Sequence, residues 1–142
     1  GELIAAQAEA LGLPATAKDK VEEVNRASLE AVEACAAAGV KLGLGCDLHG
    51  DAFCRRQGRE LLLRGQVQRP IEVLRAATSV NAEIVQRSGE LGIVAAGALA
   101  DLIVVDGDPL TDLSLFEDAE AHVSLVIKDG AIAHDRRSAH WS

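Results

Sequence analysis

The chain of 142 residues has no Met and no Tyr, and its one Trp and two Phe make aromatic residues only 2% of the total. Hydrophobic residues still account for 49%, so a core must be built from Ala, Val, Leu and Ile. Such a core favours helices packed on parallel strands, where branched aliphatic side chains interdigitate. The absence of Met also leads us to expect that residue 1 is not a native start and that the chain is cut from a longer one.

Positive charge is scarce as well. The chain has 14 Lys and Arg against 22 Asp and Glu, a net charge of -8, which argues against a nucleic-acid partner because phosphates need a basic patch. The densest basic cluster is interpreted as a solvated helix face, since Glu60 dilutes it. It consists of Arg55, Arg56, Arg59 and Arg64.

Long apolar runs and paired cysteines are also missing. No stretch approaches the roughly 18 apolar residues of a membrane span, and the N-terminus does not resemble a signal peptide. The three cysteines, Cys35, Cys46 and Cys54, form no CxxC pair. An odd number of unpaired cysteines is typical of reduced thiols, so we expect a cytoplasmic protein without a membrane partner.

The first strong pattern is helical and the second alternates. Apolar residues from Val21 to Cys35 recur at spacings of three and four, which predicts an amphipathic helix over 17–38 ended by Gly39. Residues 40–47 then place apolar side chains on one face and a nearly bare glycine face on the other. This pattern predicts a barrel strand whose glycine face needs room, with Asp47 at its C-terminal end. In a (β/α)8 barrel that rim carries the catalytic groups.

The remaining pattern predicts short elements only. Pro70 suits the first position of a buried helix, and Asp129-Gly130 suits a type I′ hairpin turn. A hairpin with one extra strand makes a poor sheet, so partner strands are expected elsewhere. The predicted elements are a loop at 48–57, helices at 57–65 and 70–87, a strand at 99–105, a helical turn at 111–118, a hairpin at 123–133 and a loose tail at 135–142.

Four motifs in this order resemble the C-terminal part of the metal-dependent amidohydrolase superfamily, over about residues 15–134. Residues 38–47, AGVKLGLGCD, resemble its last barrel strand, in which Gly-Thr-Asp is common, and residues 76–82, AATSVNA, resemble its final barrel helix. Residues 91–110 are similar to the segment that re-enters the small β-sandwich, and residues 126–130, VIKDG, to its closing hairpin. Within the superfamily the resemblance is to imidazolonepropionase-like and prolidase-like (Xaa-Pro) dipeptidases.

The resemblance implies an α/β fold, the C-terminal fragment of a (β/α)8 TIM barrel with strands of the accompanying small β-sandwich. The expected domains are residues 1–90 for the last helices and last strand of the barrel, 91–134 for the sandwich strands and hairpin, and 135–142 for the tail.

The implied activity is hydrolysis of a C–N bond in a dipeptide or similar small substrate with zinc or another divalent metal. Asp47 would be both a metal ligand and the general acid/base that takes a proton from water and returns it to the leaving nitrogen. His49 is a candidate for the substrate loop, although an exposed loop histidine is the plainer interpretation. Cys46 replaces the common Thr and is interpreted as a small packed hydrophobe.

The family's other metal ligands are absent from this chain. The resemblance implies a His-x-His pair on the first strand, a lysine on the fourth and histidines on the fifth and sixth. One carboxylate does not hold zinc, so we expect this polypeptide alone to bind no catalytic metal and to be inactive. Its expected partners are the missing N-terminal part of the enzyme and the small substrate.

Two other interpretations remain open. One is a non-catalytic structural or oligomerisation domain that forms a homo-oligomer through exposed strand edges. The other is a complete small enzyme with Cys46 or Cys54 as nucleophile, which lacks an evident His base.

Several polar residues are expected to be structural. Asp101 recurs in the family as a structural residue, and Thr78 and Asn81 are expected to bond to backbone. His122, His134 and His140 are expected at the surface.

Overall fold

The computed structural model describes residues 15–46 and 57–137. Six residues discussed above therefore lie outside the described residues: Asp47, His49, Cys54, Arg55, Arg56 and His140. The chain divides into two compact units at the boundary between Val40 and Lys41. Within the described ranges no helix is both long enough and apolar enough to cross a membrane.

The first unit contains, in its described part, helix α1, Ala15–Ala37. Its less exposed residues include Leu29, Val32 and Cys35, which share one face at helical spacing. Gly39 has φ 72°, and the Val40 N–H donates to the Cys35 carbonyl at 3.0 Å, which closes the helix in a Schellman arrangement. The predicted helix over 17–38 and its glycine terminus are confirmed.

The second unit begins with helical elements. Helix α2 spans Arg59–Gly65, and α3 spans Pro70–Arg75 with proline at its first position, as predicted. The chain continues as a π-helical segment, Ala76–Val80, and as α4, Asn81–Ile84. The sequence predicted an uninterrupted α-helix here, and the widened π turn is a departure from it.

A three-stranded antiparallel sheet follows, in the order β1-β2-β3. Its strands are β1, Leu102–Val105, β2, Val123–Lys128, and β3, Ala131–Asp135. A 3₁₀ turn, Leu113–Phe116, and helix α5, Ala119–His122, connect β1 to β2. The lone strand, the helical turn and the hairpin of the sequence analysis are therefore confirmed, with β1 shorter than predicted.

Aspartate residues cap two short helical elements and form part of the hairpin turn. The Asp112 carboxylate accepts from Ser114 N–H at 2.8 Å and the Asp118 carboxylate from Ala121 N–H at 3.0 Å, which satisfies helix N–H groups that lack a partner within their own turn. The hairpin turn has φ 52° at Asp129 and φ 78° at Gly130, as a type I′ turn requires.

The buried apolar residues of the described ranges are all aliphatic and all belong to the second unit. They come from the consecutive helical elements α3, the π-helical segment and α4, from the 3₁₀ turn and from β2. They are Val73, Ala76, Ala82, Leu113, Leu115, Val123 and Leu125.

Residues 41–46 differ from the sequence prediction of a strand. They belong to neither a helix nor a hydrogen-bonded strand of the described structure. The alternating pattern carried no information on a partner strand. Strand assignment needs a paired neighbour, and among the described residues no strand is hydrogen-bonded to this segment.

Candidate functional site

The segment 41–46 leads directly to Asp47 in the sequence, and among the described residues its backbone is held by side chains. The Leu44 N–H donates to Asn81 Oδ1 at 3.1 Å, and Asn81 Nδ2 donates to the Leu44 carbonyl at 2.7 Å. A side-chain amide can satisfy both groups of one residue because it carries a donor and an acceptor, as a peptide unit does. Asn81 thus bonds to backbone, as predicted.

Gly43 allows this close approach. A Cβ atom built on Gly43 would collide with Asn81 Oδ1 and lie 2.8 Å from Ile84 Cδ1. The sequence pattern explained this glycine by room inside a barrel. In the structure its missing side chain serves contact with α4 instead. Lys41, two residues earlier, pairs with Glu83 of the same helix.

Arg64 is the second anchor of the segment, and it corrects the interpretation of the basic cluster as a solvated face. The residue is only 6% exposed. Its Nη1 donates to the Gly43 carbonyl at 3.0 Å and its Nε to Gln68 Oε1 at 2.7 Å. Its buried Nη2 has no hydrogen-bond partner among the described residues. Buried charged side chains are rare unless they are paired. The hydrogen bond to the Gly43 carbonyl is therefore one of the contacts that compensate for burial of the Arg64 charge.

Glu60 lies one helical turn before Arg64. Burial raises the pKa of Glu60 above its ordinary value, and the nearby Arg64 charge opposes that shift. The two residues are at i and i+4 on α2, a spacing that places their side chains on one helix face. The face of α2 that carries Arg64 is therefore partly desolvated.

A cavity of about 800 Å³ lies beside the same segment. Ile103, Val126 and His134 occupy directly opposed positions on the three strands and contribute one wall. Most of the remaining wall is apolar, from the segment, α2 and the 3₁₀ turn. These residues include Leu44, Cys46, Leu61 and Phe116.

Arg136 lines the cavity and is hydrogen-bonded to neighbouring residues of the fold. Its guanidinium donates to the Ala121 carbonyl and to the Asp106 carboxylate. Arg136 therefore ties the end of β3 to α5, and it is engaged in the fold.

The two predicted site residues, Asp47 and His49, lie outside the described residues, so the prediction of a catalytic Asp47 stays a prediction. Cys46, the last described residue before them, is half-buried and lines the cavity, in keeping with its interpretation as a small hydrophobe. Within 15–46 and 57–137, no three His, Cys, Asp or Glu side chains cluster closely enough to hold a metal. The described residues do not by themselves fit a zinc ion.

The structural interpretations of other polar residues are confirmed. Thr78 Oγ1 donates to the Leu74 carbonyl at 2.7 Å. Asp101 accepts from Lys128 Nζ at 2.6 Å and from Asp129 N–H at 2.7 Å, so it braces the hairpin turn. The Lys128 and Asp129 hydrogen bonds lower the pKa of Asp101. His134 is exposed, as expected, and His122 is half-exposed.

Sequence reasoning missed Arg64 and the cavity. One arginine of a basic cluster carries no mark of burial, although the position of Arg64 after three consecutive leucines was a usable signal. The cavity depends on residues far apart in sequence, which no local pattern brings together.

Comparisons with known proteins point in the same direction as the motifs. A sequence profile of the amidohydrolase family matches residues 2–133. Among curated proteins none matches the chain.

Several solved structures are similar. One is a prolidase complexed with N-methylphosphonate-L-proline, 39% identical, with TM-score 0.82 over 94% of this chain and 33% of its own. An amidohydrolase is 37% identical, with TM-score 0.82 over 94% and 32%. A Xaa-Pro dipeptidase with bound methionine in the active site is 25% identical, with TM-score 0.72 over 89% and 31%. The chain spans about a third of the length of these structures.

The family match covers nearly the whole chain and agrees with the mixed helix and strand fold of similar solved structures. The chain belongs to the amidohydrolase family.

Proposed function

We propose that this chain supplies the C-terminal part of a metal-dependent hydrolase that cleaves C–N bonds in dipeptides or similar small substrates. The observation that carries the proposal is the family match over residues 2–133. The similar structures support the substrate class, because one is a prolidase with a proline-containing phosphonate and another a Xaa-Pro dipeptidase with methionine. Both ligands are small and derived from amino acids.

In this proposal Asp47 is the catalytic carboxylate and a metal ligand. A carboxylate at that point would accept a proton from the attacking water and return it to the leaving nitrogen. Members of the family typically depend on a divalent metal, zinc in our proposal, which lowers the pKa of bound water. Because the described residues do not form a metal site, the other ligands would come from the N-terminal part of the enzyme. The 142 residues alone would be inactive.

The proposed arrangement follows the family fold. Residues 1–90 would supply the last helices and last strand of a (β/α)8 barrel, and residues 91–134 strands of the small β-sandwich, followed by the tail at 135–142. The cavity beside Leu44 and Cys46 is mostly apolar, whereas solvent-facing surface is usually mixed. This supports the proposal that another part of the enzyme packs against it. The N-terminal part of the same enzyme is the proposed occupant. A cytoplasmic location stays a prediction from the sequence.

A structural or oligomerisation domain is the second candidate. It is favoured by apolar side chains exposed on the sheet, with Ile103 52% and Ile132 63% exposed. Exposed apolar strands at a sheet edge promote pairing between copies. Size-exclusion chromatography with light scattering on the 142-residue chain distinguishes the two. A defined dimer that resists dilution supports the second candidate.

The deciding experiment replaces Asp47 with Asn in the longest polypeptide that the gene encodes, loaded with zinc and assayed on Xaa-Pro dipeptides. Loss of the proton-transfer group should lower kcat by about 10²–10⁴-fold while the protein still folds. Glu90→Gln is the control, because Glu90 is exposed and its side chain pairs only with nearby Arg87 in the described structure.

The His49→Ala variant tests the substrate-loop prediction separately. A raised KM with unchanged kcat would support contact between His49 and substrate, since such a loss removes ground-state and transition-state binding equally. Full activity of Asp47→Asn, or no hydrolysis by the wild-type enzyme with zinc, would refute the proposed function.

A further inference from the structure

We infer that Asn81 is a positioning residue of the hydrolase, one that fixes the backbone leading to Asp47 without touching substrate or metal. The inference rests on the proposed function, because it needs Asp47 to be catalytic. Its structural half concerns only described residues, namely Asn81, Gly43 and Leu44. Arg64 acts with Asn81 as a second anchor of the same segment.

The first step is that one side chain satisfies the backbone of Leu44. Leu44 is half-buried, and both of its backbone groups bond to the Asn81 amide, at 3.1 and 2.7 Å. Buried backbone groups without partners are costly. No strand of the described structure pairs with residues 41–46. Among the described residues, the Asn81 amide is therefore what satisfies both backbone groups of Leu44.

The second step is that the contact is shaped for this amide. A Cβ at Gly43 would collide with Asn81 Oδ1, so the glycine is required for the approach. The π-helical segment 76–80 ends directly before Asn81. One extra residue in a helix turn changes the phase of the residues after it by roughly 100°. The π turn therefore sets the direction in which the Asn81 side chain projects from the helix. Such π turns are frequent at functional sites.

The third step concerns the short distance along the chain between Leu44 and Asp47. Leu44 precedes Asp47 by three residues, which span about 10 Å when extended. A catalytic group displaced by about 1 Å loses about 10²-fold in rate. Arg64 Nη1 holds the Gly43 carbonyl at 3.0 Å from the α2 side, so the segment is fixed from two helices. Freeing Leu44 should therefore affect turnover more than substrate binding.

The anchoring itself is tested by hydrogen–deuterium exchange at the Leu44 amide. In Asn81→Ala the exchange rate should rise at least about tenfold, because its acceptor is removed. Folding should survive, since alanine has a higher helix propensity than asparagine. Thr78→Ala is the matched control. Thr78 lies one turn earlier and bonds only to its own helix in the described structure, so Leu44 exchange should not change.

The catalytic consequence is tested on the longest polypeptide that the gene encodes, loaded with zinc. Asn81→Ala should lower kcat by about 10–100-fold with KM within about twofold and zinc content unchanged. Asn81→Asp keeps the shape and the acceptor for Leu44 N–H, but it sets a carboxylate oxygen against the Leu44 carbonyl in place of the donor, so its kcat should also fall. If Asn81→Ala fails to fold, Asn81→Asp carries the same test.

The outcomes separate this inference from the proposed function. An inactive Asp47→Asn enzyme together with a fully active Asn81→Ala enzyme overturns the positioning role and leaves the proposed function intact. An active Asp47→Asn enzyme refutes the proposed function, whatever Asn81 does. Unchanged Leu44 exchange in Asn81→Ala overturns the anchoring directly.

Discussion

The hairpin of β2 and β3 and the segment 41–46 are both short stretches of the second unit, and they are held in opposite ways. The hairpin is paired backbone to backbone, from Leu125 opposite Asp135 to Lys128 opposite Ala131. The segment has no such ladder in the described structure and depends on the side chains of Asn81 and Arg64.

The comparison shows how locally each structure is specified. A hairpin has its turn residues and its strands within about a dozen positions, so its sequence carries the information. The segment is held by residues 21 and 37 positions away. Such a segment is sensitive to single changes at its anchors, whereas a ladder spreads the loss over many bonds. Four predictions test this contrast, in order of decreasing effect.

The largest effect is expected from the buried side of the sheet. Leu125 is 7% exposed, so Leu125→Ala should lower the free energy of unfolding by about 2–5 kcal/mol through lost apolar burial and a cavity. Ile132 on β3 is 63% exposed, and Ile132→Ala should change it by less than about 1 kcal/mol. Urea unfolding of both variants measures the difference. Equal losses would mean that the hairpin buries both faces.

A single methyl group should disrupt the anchored segment. Gly43→Ala places a Cβ in collision with Asn81 Oδ1, which should cost about 1–3 kcal/mol as the helix or the amide moves away. Gly45→Ala is the control, because a Cβ there meets nothing within 4 Å. Urea unfolding of the two variants provides the comparison. A neutral Gly43→Ala would contradict the close approach of α4.

Substitution in the hairpin turn should destabilise the fold more at Gly130 than at Asp129. Gly130 has φ 78° and open space around a Cβ, so Gly130→Ala should cost about 1–2 kcal/mol from backbone conformation alone. Asp129→Asn should be nearly neutral, because asparagine accepts positive φ. Thermal unfolding of both variants measures this, and a neutral Gly130→Ala would show that the turn is not type I′.

The smallest effect depends on pH. The hydrogen bond from Lys128 Nζ, and then that from Asp129 N–H, lower the pKa of Asp101 below its ordinary value of 3.8. A carboxyl whose pKa is lower in the folded state stabilises the fold above its unfolded pKa, and that contribution is lost as pH falls through the folded pKa. Stability should therefore fall below about pH 4.

The Asp101→Asn variant should lose that part of the acid dependence, and Lys128→Gln should lose some of it. Unfolding free energies at several pH values test both variants. An unchanged pH profile in Asp101→Asn would mean that its ion pair with Lys128 does not contribute to folding.

The fold was predictable where the structure depends on neighbouring residues and not where it depends on distant ones. Helix α1 with its terminus at Gly39, Pro70 at a helix start and the Asp129-Gly130 turn were all predicted, because each depends on backbone preferences of neighbouring residues. The π turn before Asn81 was not predicted, since AATSV is an acceptable α-helical sequence and only packing selects the wider turn.

The candidate site was less accessible to sequence reasoning. The motif order identified the family, which the comparisons confirm, and the backbone role of Asn81 was anticipated. Burial of Arg64 was not, because a charge on a polar helix normally faces solvent. The catalytic assignment of Asp47 stays a prediction, since the described residues end at Cys46 on that side of the loop.

The sequence by itself determined the family, the order of the elements and the turns, because these depend on residue types at fixed short spacings. Only the tertiary structure decided that Asn81 and Arg64 meet Gly43 and Leu44, and that Ile103, Val126 and His134 share one wall of a cavity. Those contacts join residues 20 or more positions apart or on separate strands. Local preferences do not encode such distances, so packing and the closing of long loops set them.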